Sequence, residues 1–511
     1  MKIAFIADLH LSDIENTPQE EAFDWAIEEL KSLSPDACVV LGDMTACGSL
    51  DAALRFRRKI NTLDLPCLTI PGNSDLRDAS TASTLDKILL THSGGLIVGD
   101  IHIVGIDTAL DTIGDAERER ISKLTTGENI IICSHQPASY LDADSLEFLK
   151  NWIEIRQNNG QKVLLWANGH SHIYAEESFC GVPTVTLRAL DLDKCIGGSA
   201  QIFVWNFDGE TVSYGSIDYT RGLIDAWSED ERREFIDFLG ITCYENTKTE
   251  RDMPFATENN IRHLEWRKVA EGDLPLIEKW RKSGGKTLSL HFHNVDFDGE
   301  VIGIEKYKKY ACDAIKMGAD MVTIHPPQIA NEKILLDSTM FDTIVDAVAE
   351  ALLPVVEAKI DILVENNHTD HGTPNDPLKC AFGCTPFDII SWRDALNQRL
   401  GHGTCHIRFD VGHARNNAPI SQDYPIGKWY AVIGQEACAY HIHQTIIDSQ
   451  THKMKNHYPI TGLHDGLVSF DGFLWAWHEG ILNHAPIILE IREGEGAPAT
   501  FERFKKIFIE Q

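Results

Sequence analysis

The chain has 511 residues, 43% hydrophobic and 24% charged, which excludes wholesale disorder and implies more than one folding unit at roughly 100–200 residues per domain. Lys plus Arg number 46 against 77 Asp plus Glu, a net charge of −31; nucleic-acid affinity comes largely from cations displacing counterions at phosphates, so this balance argues against a general DNA or RNA binder. No apolar run reaches the ~20 residues that cross a bilayer, no secretory signal core forms before Asp8 and His10, and the twelve cysteines are scattered apart from Cys380 and Cys384, so a reduced, cytoplasmic setting without membrane is expected.

KIAFIA at residues 2–7 predicts a buried strand with Asp8 and His10 at its end, two apart and therefore on one face. PDACVVLGD predicts a second strand ending in Gly42-Asp43, and LPCLTI a third running into Pro71-Gly72-Asn73-Ser74-Asp75. NIIICSHQP predicts a fourth ending at His135, and KVLLWA a fifth ending in Asn168-Gly169-His170-Ser171-His172. Each strand delivers oxygen or imidazole ligands at its C-terminal edge, where Gly42, Gly72 and Gly169 let the backbone turn. Taken singly, these motifs read as turns, capping pairs or a core histidine; five in order read as one site. His92 and His102 fit no motif. Residues 201–218 alternate around Asp208-Gly209 and predict a hairpin.

The ordered set D-x-H, G-D, G-N, H and G-H-x-H resembles the calcineurin-like metallophosphoesterases over about residues 1–220. The resemblance implies an αββα sandwich in which Asp8, His10 and His172 hold one ion, Asn73, His135 and His170 hold a second, and Asp43 bridges them. Asp43, Asn73 and His135 are then the catalytic residues of this half. Two ions ~3.5–4 Å apart clamp a phosphoryl group and activate water against it. One position departs from the family: where many members read G-N-H-D, with a His that protonates the leaving group, this chain has Ser74. Either another group supplies that proton, or the substrate carries a good leaving group, or activity is weaker.

The polar stretch YTRGLIDAWSEDERRE sets the expected boundary, with domains at residues 1–225 and 226–511. Only six of the 22 histidines precede residue 225. Beyond it, eight short apolar runs (FLGITCYE, IRHLEW, KTLSLHFH, DMVTIHPP, DILVEN, HIRFDVGH, CAYHIHQ and PIILEI) alternate with amphipathic stretches such as GIEKYKKYACDAIKMGA and DIISWRDALNQRL. Eight strand–helix units predict a (β/α)8 TIM barrel with its site at the C-terminal strand ends. Those ends carry Glu265, His291/His293, His325, Glu365, Asp410/His413, His441/His443 and Glu490. Both members of each His pair are expected to face the mouth. Trp266, Trp392, Trp429, Trp475 and Trp477 are read as packing, and His368, His371, His402, His406, His452, His464, His478 and His484 as surface.

The order H, H-P, E-N, D-x-G-H, H-x-H and E resembles the superfamily that unites xylose isomerase-like isomerases and epimerases with AP endonucleases, over about residues 235–495. Carried over, Glu365, Asp410, His441 and Glu490 match the metal site common to both branches. His291, His325, His413 and His457 match further metal positions of the endonuclease branch. That branch has an Asp two residues before His457, where this chain has Lys455; Asp448 and Asp465 are unplaced substitutes. In the isomerase branch Glu365 and Glu490 double as acid and base.

The expected function is a metal-dependent phosphoesterase, a phosphodiesterase or phosphatase, acting on a small phosphorylated sugar compound. Its barrel would hydrolyse, isomerise or epimerise the linked sugar or sugar phosphate. The expected cofactors are divalent Mn, Fe or Zn, two in the first domain and one to three in the barrel. The alternative is a DNA or RNA repair nuclease, which the acidic charge opposes; a third reading makes one half a non-catalytic module. The oligomeric state is left open, a homo-oligomer included.

Overall fold

The computed structural model describes residues 1–90, 94–124, 127–369, 377–418, 420–451, 453–492 and 496–510, apart from the side chains of residues 248, 271 and 377; His92, His371 and His452 lie outside the described residues. The chain divides into two compact units, Met1–Arg221 with Ser469–Trp475, and Gly222–Val468 with Ala476–Gln511. No helix among the described residues is long and apolar enough to cross a membrane.

The first unit is a sandwich of two sheets with helices outside them. Its strands are β1 (Lys2–Ile6), β2 (Ala37–Val40), β3 (Cys67–Thr69), β4 (Gly95–Val98), β5 (Ile101–Ile106), β6 (Asn129–Ser134), β7 (Lys162–Asn168), β8 (Ala175–Phe179), β9 (Val182–Thr186), β10 (Gln201–Phe207) and β11 (Val212–Asp218). One sheet runs β11-β10-β1-β2-β3 and the other β4-β5-β6-β7-β9-β8. Runs such as KIAFI and NIIICS are apolar throughout because both of their faces are covered. Ile3, Phe5 and Val39 of one sheet meet Ile103, Ile131 and Leu165 of the other. On the outside of the second sheet, Ile130, Ile132 and Trp166 pack with Trp152 and Ile153 of helix Ala143–Asn158. Strands β10 and β11 form the expected hairpin: Gly209 takes φ +102°, and the Asp208 carboxylate accepts the Glu210 and Thr211 amides at 2.9 and 2.7 Å.

The second unit contains a closed barrel of eight parallel strands, one in each predicted run. They are β12 (Leu239–Cys243), β13 (His263–Trp266), β14 (Thr287–His291), β15 (Met321–Ile324), β16 (Asp361–Glu365), β17 (Cys405–Asp410), β18 (Ala437–Ile442) and β19 (Ile487–Leu489). β19 closes the ring by pairing with both β12 and β18. The intervening helices start on local signals. Thr385 and Asp388 form a capping box ahead of helix Pro386–Leu400, each side chain bonding the other's backbone amide. After β18 the chain inserts a hairpin, Gln444–Ile447 with Met454–Tyr458, which carries His457 back over the mouth. All five singled-out tryptophans are buried, as packing requires.

Helix Glu229–Phe238 presents fully buried Phe235 to the C-terminal helix Gly496–Ile509, where it stacks on Phe508 with ring centroids 4.6 Å apart. Phe235→Ala leaves a cavity at that contact, and a loss of about 3–5 kcal/mol is expected. Calorimetry should show a lower melting temperature with metal content unchanged.

Candidate metal centres

The first site is built on the loops that follow β1, β2, β3, β6 and β7. β1 ends at Ile6, so Asp8 and His10 do not share a face by strand alternation as the sequence suggested. They converge because Asp8 (φ 55°) and His10 (φ 47°) both take left-handed backbone, as do Asp43, His170 and His172 (φ 51°, 72° and 60°). Such conformations cost on the order of 1–3 kcal/mol each and persist only where their surroundings enforce them. Backbone hydrogen bonds do so here: Asp8 N–H to Gly42 O at 3.1 Å, His10 N–H to Asp43 O at 2.9 Å and Gly169 N–H to His135 O at 2.9 Å. The three glycines are needed chiefly for close approach. A methyl group on Gly42 would strike the His135 imidazole, one on Gly72 the Asp43 side chain, and one on Gly169 the Asp8 carboxylate. Of the three, Gly42 alone also requires positive φ.

The structure brings all seven sequence-selected residues together. The Asp43 carboxylate stands between two groups, Oδ2 lying 3.1 Å from His10 Nε2 and Oδ1 3.5 Å from His135 Nε2. Asp8 Oδ1 is 3.6 Å from His172 Nε2. Asn73 Oδ1 lies 3.0 Å from both His135 Nε2 and His170 Nδ1, which are 3.2 Å apart. The Nδ1–H of His135 donates to Leu41 O at 2.8 Å, which leaves the Nε2 lone pair facing Asn73 and Asp43. Burial alone would raise the Asp43 carboxyl, but the His135 and His10 imidazoles and the Ser74 amide hold it well below the usual carboxylate range. Burial and the charge of Lys194 push His10 down to about 4, so it offers a neutral ring near pH 7. Carboxylate, amide and imidazole atoms this close fit divalent cations of the Mn, Fe and Zn type. Ser74 points at Asp43, its N–H 2.7 Å from Oδ1 and its Oγ 2.9 Å from Oδ2. Sequence reasoning missed Asp191, whose Oδ2 lies 3.5 Å from His10 Nδ1; it lies within the loop after β9 and sits in no motif.

In the barrel, Glu365, Asp410, His441 and Glu490 converge as a second set. His441 Nδ1 is 2.9 Å from Glu490 Oε2, 3.1 Å from Glu365 Oε1 and 3.8 Å from Asp410 Oδ2. All four atoms are buried and none has a hydrogen-bond partner. Three buried carboxylate oxygens around one ring nitrogen are untenable without a cation, so the residues present fit a metal ion. His291 Nε2 lies 3.1 Å from Glu365 Oε2 and His325 Nε2 3.8 Å from the same oxygen. His291 donates Nδ1–H to Phe292 O at 2.8 Å, and burial with the charge of Arg267 pushes it down to about 3.

A third group is made of imidazoles. His413 and His457, both selected from sequence, meet His443, their ring centroids 5.3 Å apart and those of His443 and His457 4.4 Å apart. His443, which the sequence reading turned to the mouth through the H-x-H pattern but left out of the metal set, joins this group. Gly412 admits it, since a methyl group there would overlap the His443 ring. β14 ends at His291; His293, beyond it, is exposed, packs edge-on against Tyr310 and lines the cavity at the mouth. His368, read as surface, instead lies with its ring 4.8 Å from that of His413. Neither Asp448 nor Asp465 replaces the missing carboxylate: Asp448 binds Lys455 at 2.6 Å, and Asp465 accepts from Thr461 at 2.9 Å. A cavity of about 370 Å³ opens over these groups, lined also by Arg267, Lys306, Arg492, Asn294, Gln328 and Asn367.

Residues 1–174 match the family model described as calcineurin-like phosphoesterase. A protein of Pseudoalteromonas sp. (strain SM9913), named a probable cyclic nucleotide phosphodiesterase, is 29% identical over 203 residues, spanning 35% of this chain and 74% of its own. Among solved structures, a protein of Thermus thermophilus soaked with ZnCl2 aligns at 17% identity over 53% of this chain and 98% of its own, with a TM-score of 0.37. A xylose isomerase-like TIM barrel protein from Mycobacterium smegmatis in complex with magnesium aligns at 13% identity over 50% of this chain and 86% of its own, with a TM-score of 0.34.

Because a methyl at residue 72 enters the space of Asp43, Gly72→Ala is expected to weaken ion binding in the first unit about 10–100-fold. Elemental analysis after dialysis should find that share of the metal lost and the barrel's share retained.

Proposed function

We propose, on the match of residues 1–174 to the calcineurin-like phosphoesterase family model, a metal-dependent phosphodiesterase acting on a small phosphorylated sugar compound, with a barrel that hydrolyses, isomerises or epimerises the linked sugar or sugar phosphate. The observation that carries the first part is Asp43 standing between the Asp8/His10/His172 and Asn73/His135/His170 groups. Asp8, His10 and His172 would hold one ion, Asn73, His135 and His170 the other, and Asp43 both. When bound, such ions supply positive charge to the phosphoryl oxygens and lower the pKa of water.

Ser74 favours a diester over an unactivated monoester. Its hydroxyl is buried and committed to Asp43, so it does not replace the imidazole that protonates a poor leaving group. A cyclic nucleotide, the substrate in the name of the Pseudoalteromonas relative, is a phosphodiester on a sugar and fits this class. In the barrel, Glu365, Asp410, His441 and Glu490 would hold one ion, and the His291/His325 and His413/His443/His457 groups offer places for up to two more. Glu365 and Glu490 would take a proton from a sugar carbon and return it. Arg267 and Arg492 at the mouth both pair with Glu490, and Lys306, which has no carboxylate partner among the described residues, faces the same cavity; an anionic group would be drawn there.

The three adjoining barrel groups also favour a second reading, a phosphodiester nuclease. Cleavage of abasic-site DNA with steep salt dependence would support it over the first.

Asp43→Asn is expected to lower hydrolysis of bis-p-nitrophenyl phosphate about 10²–10³-fold, and Glu365→Gln to leave it near wild type. Chelation followed by dialysis should abolish that hydrolysis, and Mn²⁺, Fe²⁺ or Zn²⁺ should restore it, as a colorimetric assay reads directly.

A further inference from the structure

Glu265 is the penultimate residue of β13 and is fully buried, yet it joins none of the ligand groups. Four donors converge on its Oε2: the Arg408 guanidinium in a close ion pair, His441 Nε2 at 3.1 Å, and Ser289 Oγ and Thr323 Oγ1 at 3.3 Å each. Arg408 is itself almost fully buried, and its Nη1 also lies 2.8 Å from His441 Nε2. Barrel interiors are normally filled with branched aliphatic side chains. A buried ion pair in their place adds little stability over an apolar pair of similar size, so its presence here asks for another reason.

The histidines around it give one. His135 and His291 each set Nδ1 against a backbone carbonyl at 2.8 Å and turn Nε2 toward ligand groups, Asn73 and Asp43 for one and Glu365 for the other. His441 is reversed: Nδ1 faces Glu490, Glu365 and Asp410, and Nε2 faces Glu265. A neutral imidazole carries one N–H. With that proton on Nδ1 it would be spent on a carboxylate and no lone pair would enter the set. With it on Nε2, Glu265 accepts it, the neighbouring Arg408 Nη1 gives its proton to the same Glu265 oxygen and not to the ring, and the Nδ1 lone pair points among the three carboxylates.

We propose that the Glu265–Arg408 pair is a positioning device that keeps the His441 proton on Nε2 and so presents Nδ1 to a divalent cation held by Glu365, Asp410 and Glu490. Arg408 keeps Glu265 ionised as an acceptor, and Ser289 and Thr323 fix the carboxylate's orientation. This rests on the reading that the barrel holds an ion, which is tested separately by comparing the metal content of wild type and Glu365→Gln.

The test uses the full chain with the pair replaced by apolar residues of similar volume, Glu265→Leu/Arg408→Met, and the conservative Glu265→Gln. Zn²⁺ affinity is measured by competition with a chelator, and folding by thermal melting. The double variant is expected to melt near wild type and keep the ions of the first unit, while binding the barrel ion about 10–100-fold more weakly. Glu265→Gln, which retains an oxygen acceptor, should recover most of that loss. A folded double variant with wild-type barrel affinity overturns the proposal. Independently of any variant's folding, long-range ¹H–¹⁵N spectra of histidine-labelled wild type, with His441→Asn to assign the signal, should place the His441 proton on Nε2; a proton on Nδ1 in the ion-loaded protein overturns it as well.

Discussion

Both halves of this chain depend on one electrostatic constraint: carboxylates that water cannot reach are gathered within a few ångströms of one another. Glu365, Asp410 and Glu490 are fully buried and their inward oxygens find no protein donor. Asp8 and Asp43 are nearly as deep, and each has imidazoles for its nearest charged neighbours. Imidazoles reduce the repulsion between such groups without removing it. Only positive charge placed among them accounts for their burial, and the strands around them are apolar enough to keep solvent from supplying it.

The two units meet this constraint by different backbone means. In the sandwich, ligands sit on kinked loops whose left-handed residues are locked by hydrogen bonds between neighbouring loops, with glycines clearing the space beside them. In the barrel, most ligands stand at regular strand ends, where parallel pairing sets their spacing. His457 is the exception. It comes from an inserted hairpin and has the one left-handed backbone among the barrel's ligand residues.

Much of this was legible in the sequence because an apolar run followed at once by a ligand is a local signal. All eight barrel strands and the five ligand-bearing strands of the sandwich fall where such runs lie. What escaped was set by tertiary contact. Asp191 reaches His10 from the loop after β9, outside any motif, and His443 meets His413 and His457 through a hairpin inserted beyond β18. Arg408 reads locally as one polar residue in an apolar strand. Its meaning comes only from Glu265, 143 residues away, on the other side of the barrel's interior. His368 lies beside His413 and not at the surface expected of it, because the course of the loop after β16 is not a local property.

Ser74 carries a last consequence. Its amide and its hydroxyl each grip one oxygen of Asp43, a two-point clamp on the carboxylate that stands between the ligand groups. A bulkier ring in that buried position could keep the amide contact but would give up the hydroxyl one. Leaving-group protonation and rigidity of the shared carboxylate are therefore traded at a single residue.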